Sequence, residues 1–310
     1  RLGALLGDRV DNLWVGTFHS ICVRILRRNI DRIGYNGSFV IYDQTDQKTV
    51  VKECIKEMNL DKETFKEKSA INLISSQKNS MISPDEYINE NYSDFYNRRM
   101  GEIYALYEKK LKSNNALDFD DLLLKTLELF EKAPDVLDYY QKRFQYIFVD
   151  EYQDTNKVQY ELIKYLSKRY KNLCVVGDDD QSIYGWRGAD IKNILDFEKD
   201  FPDAKVIKLE QNYRSTKNIL NVANSIIKNN YGRKDKSLWT SNGEGEKARI
   251  FRAMDEIDEA YFVANEVEKL TQKGYKLSDI AILYRTNAQS RVFEEAFMKK
   301  SISYKIVGGL

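Results

Sequence analysis

The sequence predicts an α/β protein in which helices cover both faces of parallel sheets. Short apolar runs rich in β-branched residues alternate with amphipathic segments, and the runs are apolar almost throughout, as in strands buried on both faces of a sheet. Residues from about 45 to 117 break this alternation, since they show helical periodicity and no strong strand. A chain of 310 residues is long enough for about two domains. We therefore predict two α/β domains and a helical insertion.

Composition and charge exclude several classes of protein. Hydrophobic residues make up 42% of the chain and charged residues 31%, with 3 Pro and 15 Gly, which excludes collagen-like and disordered chains. No run reaches the roughly 18 uncharged apolar residues of a membrane span, so no membrane partner is expected. The net charge of +1 means that nucleic-acid binding would depend on local patches. Three scattered cysteines and the lack of a signal peptide predict a reduced, cytoplasmic protein.

The elements can be predicted in chain order. The first strand is expected at Leu13–Val15, followed by a helix with Ser20 as its N-cap and Gly34 as its stop. Within the helical block, the segment from Ser83 to Glu86 predicts a capping box with proline at the first helical position. Later strands are predicted at Tyr146–Val149, Leu173–Val176, Val206–Leu209, Arg249–Arg252, Ile280–Tyr284 and Ser303–Val307.

Two adjacent carboxylates end one of these strands. Asp150 and Glu151 directly follow the apolar run Tyr146–Val149. Ligands of open α/β sheets bind outside the carboxyl ends of the strands, so these side chains would lie where a phosphate-bound metal would be. One carboxylate could hold the water shell of Mg²⁺, and the other could orient and deprotonate an attacking water. Taken alone, the dipeptide is also compatible with a solvated start of a loop.

The strand predicted at Leu173–Val176 is also followed by polar residues. Gln181 would lie near the same crevice, where an amide can sense a γ-phosphate through a hydrogen bond without adding charge. Tyr184, Trp186 and Arg187 offer flat faces and a cation that suit stacking of unpaired bases. The alternative for these aromatic residues is a place in the core.

A third polar segment, Asn212 to Ser215, contains an aromatic residue and an arginine. Arg214 could act as an arginine finger that stabilises charge on a transferred phosphoryl group. Tyr213 could stack on a nucleotide base. A surface salt bridge and a packing tyrosine remain the alternative for an isolated Asn-Tyr-Arg sequence.

Taken together, these motifs resemble those of the UvrD/Rep type of superfamily 1 DNA helicases. The resemblance implies two RecA-like P-loop NTPase motor domains with ATP bound between them and single-stranded DNA running across them. It implies a first motor domain at 1–35 and 118–205, a helical insertion at 36–117 and a partial second motor domain at 206–310. The matching segments, which follow the family's order, are VDEYQDTN at 149–156, VGDDDQSIYGWRGAD at 176–190, QNYRST at 211–216, GTFHS at 16–20, LDFDDL at 117–122 and LYRTNAQSR at 283–291.

The resemblance also implies roles for individual residues. Asp150 would coordinate Mg²⁺ through water, Glu151 would be the base for the attacking water, and Gln181 would sense the γ-phosphate. The other residues implied to contact the nucleotide are Gln153, Asp154, Tyr213, which would stack on adenine, and Arg214, the arginine finger. The residues implied to contact DNA are Thr17, His19, Tyr184, Trp186 and Arg187. For His19 a hydrogen bond at the start of a helix is the alternative, and the acidic segment Asp118 to Asp121 receives no individual role.

The function implied by the resemblance is an ATP- and Mg²⁺-dependent helicase. It would translocate 3′–5′ on single-stranded DNA and open junctions between single and double strands, with repair or replication proteins as partners. None of the 15 glycines is followed by lysine, so the Gly-Lys-Ser/Thr phosphate loop is absent from these 310 residues. We therefore expect an internal fragment that lacks this loop and the family's later motifs and does not turn over ATP by itself. Two alternatives are the motor subunit of a helicase–nuclease and a DNA-binding scaffold without ATPase activity.

Overall fold

A computed structural model describes residues 3–4, 7, 13–232, 234 and 236–307. The chain forms two compact units, one built from residues 1–209 and 227–237 and the other from residues 210–226 and 238–310. Among the described helices, none combines the length and the apolar character needed to cross a membrane.

Helices predominate, and the four short strands found in the described part of the chain lie in the first unit. Its elements are α1 (Phe18–Asn29), β1 (Val40–Ile41), α2 (Gln44–Glu57), α3 (Glu67–Ser80), α4 (Pro84–Glu90), α5 (Phe95–Ser113), β2 (Ala116–Leu117), α6 (Phe119–Lys132), α7 (Pro134–Arg143), β3 (Ile147–Val149), α8 (Lys157–Ser167), β4 (Leu173–Val175), α9 (Lys192–Leu195) and α10 (Phe197–Asp200). The later helices are α11 (Lys217–Ile227), α12 (Glu256–Gln272) and α13 (Ser290–Lys299).

Helix α1 begins three residues earlier than the sequence predicts. Thr17 is its N-cap, with extended backbone angles, and its hydroxyl accepts the N–H of Ser20 at 3.3 Å. Ser20 therefore lies in the first turn and is not the cap, because both hydroxyls could cap a helix and only Thr17 has the backbone that capping requires. Residues 13–15 form no strand, which corrects that prediction. The predicted stop is confirmed, since Gly34 ends the helical run in the left-handed region at φ 77°.

Both sheets are parallel, as the alternation of strands and helices predicts. In one, β3 lies beside β4 with Ile147 opposite Leu173. In the other, β1 lies beside β2 with Val40 opposite Ala116. Residues 36–117 therefore contain a short parallel ladder at their two ends as well as the four helices α2 to α5.

Two hydrophobic cores hold the helices of the first unit together. Helices α1, α6, α7 and α8 pack around buried side chains that include Leu26, Leu123 and Tyr140. Helices α2, α3 and α5 pack around a second set that includes Val51 and Tyr107. The predicted capping box of α4 is confirmed, with Ser83 and Glu86 each bonding the other's backbone N–H.

Four predicted strands, at 206–209, 249–252, 280–284 and 303–307, are wrong, because the described residues form no ladder there. The predicted alternation is nevertheless visible in one of them. Ile280, Ile282 and Tyr284 pack on the core between α12 and α13, whereas Leu283 is 95% exposed. Alternation specifies which way side chains point, but a strand also needs a neighbour whose backbone groups can complete the hydrogen bonds. That neighbour is not encoded in the local pattern.

Candidate functional site

The carboxyl ends of β3 and β4 meet at one edge of their sheet. The N–H of Val176 donates to the carbonyl of Val149 at 2.8 Å, and the N–H of Tyr152 donates to the carbonyl of Val176 at 3.0 Å. Asp150 and Glu151 follow β3 at this edge, so the two strand-end segments singled out in the sequence are neighbours in space.

Glu151 adopts an unusual backbone conformation for a residue other than glycine. Its φ is 51°, in the left-handed region, where such residues cost on the order of 1–3 kcal/mol and are concentrated at functional sites. The turn leads from β3 into a short 3₁₀ helix, Tyr152–Asp154, and Asp150 accepts the N–H of Glu151 at 3.0 Å. The Glu151 carboxylate is exposed at the turn, and its Oε2 accepts a hydrogen bond from Gln153 Nε2 at 2.8 Å.

Gln153 links the two strand ends through a buried amide. Its side chain is 1% exposed, donates to Glu151, and accepts the N–H of Asp178 at 3.0 Å through Oε1. Gly177 makes this link possible, because a Cβ there would lie 2.6 Å from Gln153 Oε1 and 3.1 Å from the N of Tyr152. The structure thus uses both polar atoms of the Gln153 amide within the protein, a role that the motif pattern did not reveal.

Asp154 ends the 3₁₀ helix beside this link. Burial, and then the negative charge of Glu151, raise the pKa of its carboxyl. Its buried Oδ1 has no hydrogen-bond partner among the residues that the structure describes.

Gln181 is held through Asp178. Its Nε2 donates to Asp178 Oδ2 at 2.7 Å, and Asp178 Oδ1 contacts the ammonium of Lys236. The same ammonium lies 2.7 Å from Asp179 and 3.2 Å from Asp180. Burial alone would lower the pKa of Lys236, but the hydrogen bonds to these carboxylates raise it. Sequence reasoning missed Lys236, since nothing in the sequence separates it from the other lysines.

Among the residues that the structure describes, two groups of three carboxylates come close enough to suggest a cation, and each already contacts a lysine. Lys78 contacts the first group and Lys236 the second. Asp150, the predicted Mg²⁺ ligand, belongs to neither group; it is an exposed carboxylate at the end of β3. The two groups are Glu108, Asp118 and Asp121, and Asp178, Asp179 and Asp180.

The residues expected to contact DNA fall on two segments of the first unit. Thr17 caps α1, and His19 lies in its first turn with its ring 5.7 Å from the ring of Phe119. Burial lowers the pKa of His19, which favours its neutral form. This position agrees both with a DNA contact by His19 and with a role of its side chain at the start of the helix.

The second segment follows Gln181. Trp186 is 73% exposed and Tyr184 is also exposed, which suits a stacking surface better than a core. The side chain of Arg187 lies outside the described residues. Gly188 turns the chain at φ 87°, and a Cβ on it would lie 3.6 Å from Asn79 of α3.

Tyr213 and Arg214 belong to the second unit, in a loop ordered by a neighbouring side chain. Asn212 Oδ1 accepts the N–H of Arg214 at 2.9 Å and that of Ser215 at 2.7 Å. Tyr213 is 78% exposed, its hydroxyl donates to Gln211 at 3.0 Å, and Arg214 is exposed beside it.

Comparison with protein families matches both parts of the chain. Residues 1–202 match the UvrD/REP helicase N-terminal domain, and residues 207–310 match the UvrD-like helicase C-terminal domain. The chain therefore belongs to the UvrD/REP helicases, whose motor domains are RecA-like, and the resemblance read from its motifs is confirmed.

Two relatives show the degree of similarity. Over 309 residues, the chain is 56% identical to the ATP-dependent DNA helicase PcrA of Staphylococcus aureus and 55% identical to the PcrA of Staphylococcus epidermidis. Each match covers 100% of this chain and 42% of the relative. The chain thus spans less than half the length of these relatives.

Proposed function

We propose that this chain is part of a cytoplasmic ATP-dependent DNA helicase that couples ATP hydrolysis to 3′–5′ translocation on single-stranded DNA and to opening of duplex junctions in repair or replication. The observation that carries this proposal is the buried Gln153 amide, which joins the Asp150–Glu151 turn to the segment that holds Gln181. The base for water, Glu151, and the phosphate sensor, Gln181, must act on the same phosphate group. The hydrogen bonds of Gln153 connect the two chain segments that hold them.

At the nucleotide, Asp150 would hold Mg²⁺ through water, and its exposed carboxylate at a strand end suits the oxygen ligands that this ion prefers. When bound, the ion would neutralise charge on the phosphates. Glu151 would take the proton of the attacking water, with its carboxylate oriented by Gln153. Gln181 would sense the γ-phosphate while Asp178 holds its amide.

The remaining proposed nucleotide contacts come from the second unit and from the 3₁₀ helix. Tyr213 would stack on adenine, and Arg214 would stabilise charge on the transferred phosphoryl group, as an arginine finger does. Gln153 and Asp154 would act at the same nucleotide. The proposed domains are a first motor domain at 1–35 and 118–205, a helical insertion at 36–117 and part of a second motor domain at 206–310.

Single-stranded DNA would contact Thr17, His19, Tyr184, Trp186 and Arg187. The exposed ring of Trp186 supports this assignment, because stacking of a base on an aromatic ring contributes about 1–3 kcal/mol.

The test is ATP hydrolysis by the full-length polypeptide that carries this sequence, with and without single-stranded DNA. Glu151→Gln keeps the shape of the side chain and removes the base, so kcat should fall by about 10²–10⁴ while the DNA dissociation constant stays within about twofold. Glu90→Gln, at an exposed position at the end of α4, is the matched control and should leave both unchanged.

The possible results separate the competing functions. Unchanged turnover in Glu151→Gln would refute the role of this residue. Salt-dependent DNA binding by the unaltered protein with no stimulated hydrolysis would favour the scaffold instead. Cleavage of DNA by the same polypeptide would favour the helicase–nuclease.

A further inference from the structure

We propose that the carboxyl-terminal end of α3 is a joint that positions the DNA-facing residues of the first unit. Two adjacent residues, Lys78 and Asn79, form this joint by holding the first turns of α6 and α8. The inference rests on the proposed function for its consequence in DNA binding, but the joint itself follows from the contacts.

Lys78 forms the buried half of the joint. Its side chain is 1% exposed, and its ammonium lies 2.8 Å from Asp118, 2.8 Å from Asp121 and 2.6 Å from Glu108. Tyr107 adds a hydroxyl that donates to Asp118 at 2.9 Å. A buried ammonium with these partners ties α3 to α5 and α6, and removing it leaves the charge of Asp118 buried without a counter-charge.

Two of the carboxylates that Lys78 binds, Asp118 and Asp121, lie at the start of α6. Asp118 is the N-cap and accepts the N–H of Asp121 at 2.8 Å, while Asp121 accepts the N–H of Asp118 at 3.2 Å. The first residue of α6 is Phe119, whose exposed ring lies beside that of His19. Lys78 therefore fixes the backbone that presents this surface.

Asn79 forms the other half through its amide. Its Nδ2 donates to Asp120 at 3.0 Å, and its Oδ1 accepts from Asn156 Nδ2 at 2.5 Å. Asn156 is the N-cap of α8 and accepts the N–H of Gln159 at 2.9 Å. This contact therefore ties the end of α3 to the first turn of α8.

The same asparagine lies near the loop that carries Trp186. A Cβ on Gly188 would lie 3.6 Å from the Cβ of Asn79, an ordinary van der Waals distance. One helix end thus contacts the start of α6 and the cap of α8 and lies near the loop after Trp186. Because these contacts join the end of α3 to the first turns of α6 and α8, a shift of this helix would move both turns.

The test measures hydrogen exchange and DNA-stimulated ATP hydrolysis in the full-length polypeptide. Lys78→Met should speed exchange in the first turn of α6, and Asn79→Ala should speed it in the first turn of α8, because each loses its side-chain support. Lys68→Met, at an exposed position on the same helix α3, is the control and should leave exchange unchanged.

For a positioning role, the activity readout must separate DNA binding from turnover. Asn79→Ala should raise the DNA concentration that gives half-maximal stimulation by about fivefold or more, while kcat at saturating DNA and KM for ATP stay within about twofold. Because Lys78→Met can unfold the protein, a triple variant combines Lys78→Met with Asp118→Asn and Asp121→Asn. It removes the two fully buried acidic groups, keeps an N-cap and leaves only Glu108, whose side chain is 24% exposed. It should regain the lost stability and still require more DNA.

Each outcome decides one question. Unchanged exchange in both α6 and α8 overturns the joint, whatever the activity. Faster exchange with an unchanged DNA requirement overturns its role in positioning. If the unaltered protein shows no stimulation by DNA, the proposed function fails, and the exchange data still decide whether the joint exists.

Discussion

Gly177 shows how strongly one residue can constrain the site. A side chain at this position would require its neighbours to shift, because its Cβ would lie 2.6 Å from the amide oxygen of Gln153, 2.8 Å from Ile194 Cδ1 and 3.1 Å from the backbone N of Tyr152. The contacts with the amide and with the backbone have different consequences, since the amide can rotate away while the backbone cannot. A substitution here would therefore disturb the orientation of Glu151 through Gln153.

We predict that Gly177→Ala lowers both stability and turnover. The extra methyl group overpacks the site, which typically costs about 1–3 kcal/mol, and the displaced Gln153 no longer holds the Glu151 carboxylate. Thermal unfolding and DNA-stimulated ATP hydrolysis of the full-length polypeptide would measure the two effects. Gly243→Ala is the control, because a Cβ at Gly243 has no neighbour within 4 Å. Equal behaviour of the two variants would contradict the close approach at Gly177.

The role of Lys236 follows from where the fold places it and not from a motif. It lies in a stretch, 227–237, that belongs to the first unit although the residues on both sides of it in the sequence belong to the second. Its contacts with Asp178, Asp179 and Asp180 therefore bring a later part of the chain to the segment that holds Gln181. This places a charge-neutralising residue where the sequence alone indicates only a run of acidic residues.

At the scale of elements, the start of α6 combines capping with buried charge. Burial, and then the charge of Asp118, raise the pKa of Asp121, and Lys78 offsets this only in part. Glu108 raises the pKa further, and Lys125 lowers it. Between the pKa of an unfolded aspartate, about 3.9, and the higher folded value, the folded protein holds a proton that the unfolded chain does not. The contribution of this group to stability therefore falls as the pH rises through that interval.

We predict that Asp121→Asn, which cannot ionise, reduces the loss of stability between about pH 5 and pH 8 by about 1–3 kcal/mol. Urea unfolding of the full-length polypeptide at both pH values would measure the difference. Asp85→Asn, at an exposed position in the first turn of α4, should keep the pH dependence of the unaltered protein. A parallel loss in Asp121→Asn and the unaltered protein would show that Asp121 does not hold the proton.

At the scale of the whole molecule, the 310 residues contain proposed catalytic groups but no phosphate loop. Without the amides and lysine of such a loop, the phosphates of ATP lack their main binding site. We predict that the purified chain of these residues shows no ATP turnover above background, with or without DNA. A coupled assay for phosphate release would detect it. Turnover that disappears in Glu151→Gln of the same chain would falsify this expectation and show that the chain binds ATP without the loop.

The sequence by itself determined the family, the parallel character of the sheets, the α4 capping box and the stop at Gly34. Each of these depends on residues close together in the chain or on several motifs that follow one another in the order typical of the family. The tertiary structure alone decided that Thr17 rather than Ser20 caps α1, and that four predicted strands form no ladder. It also identified the Gln153 link and the Lys78 joint, whose partner Asp118 is 40 residues away. Contacts of that kind depend on where the fold brings distant charges and amides together, which no local pattern encodes.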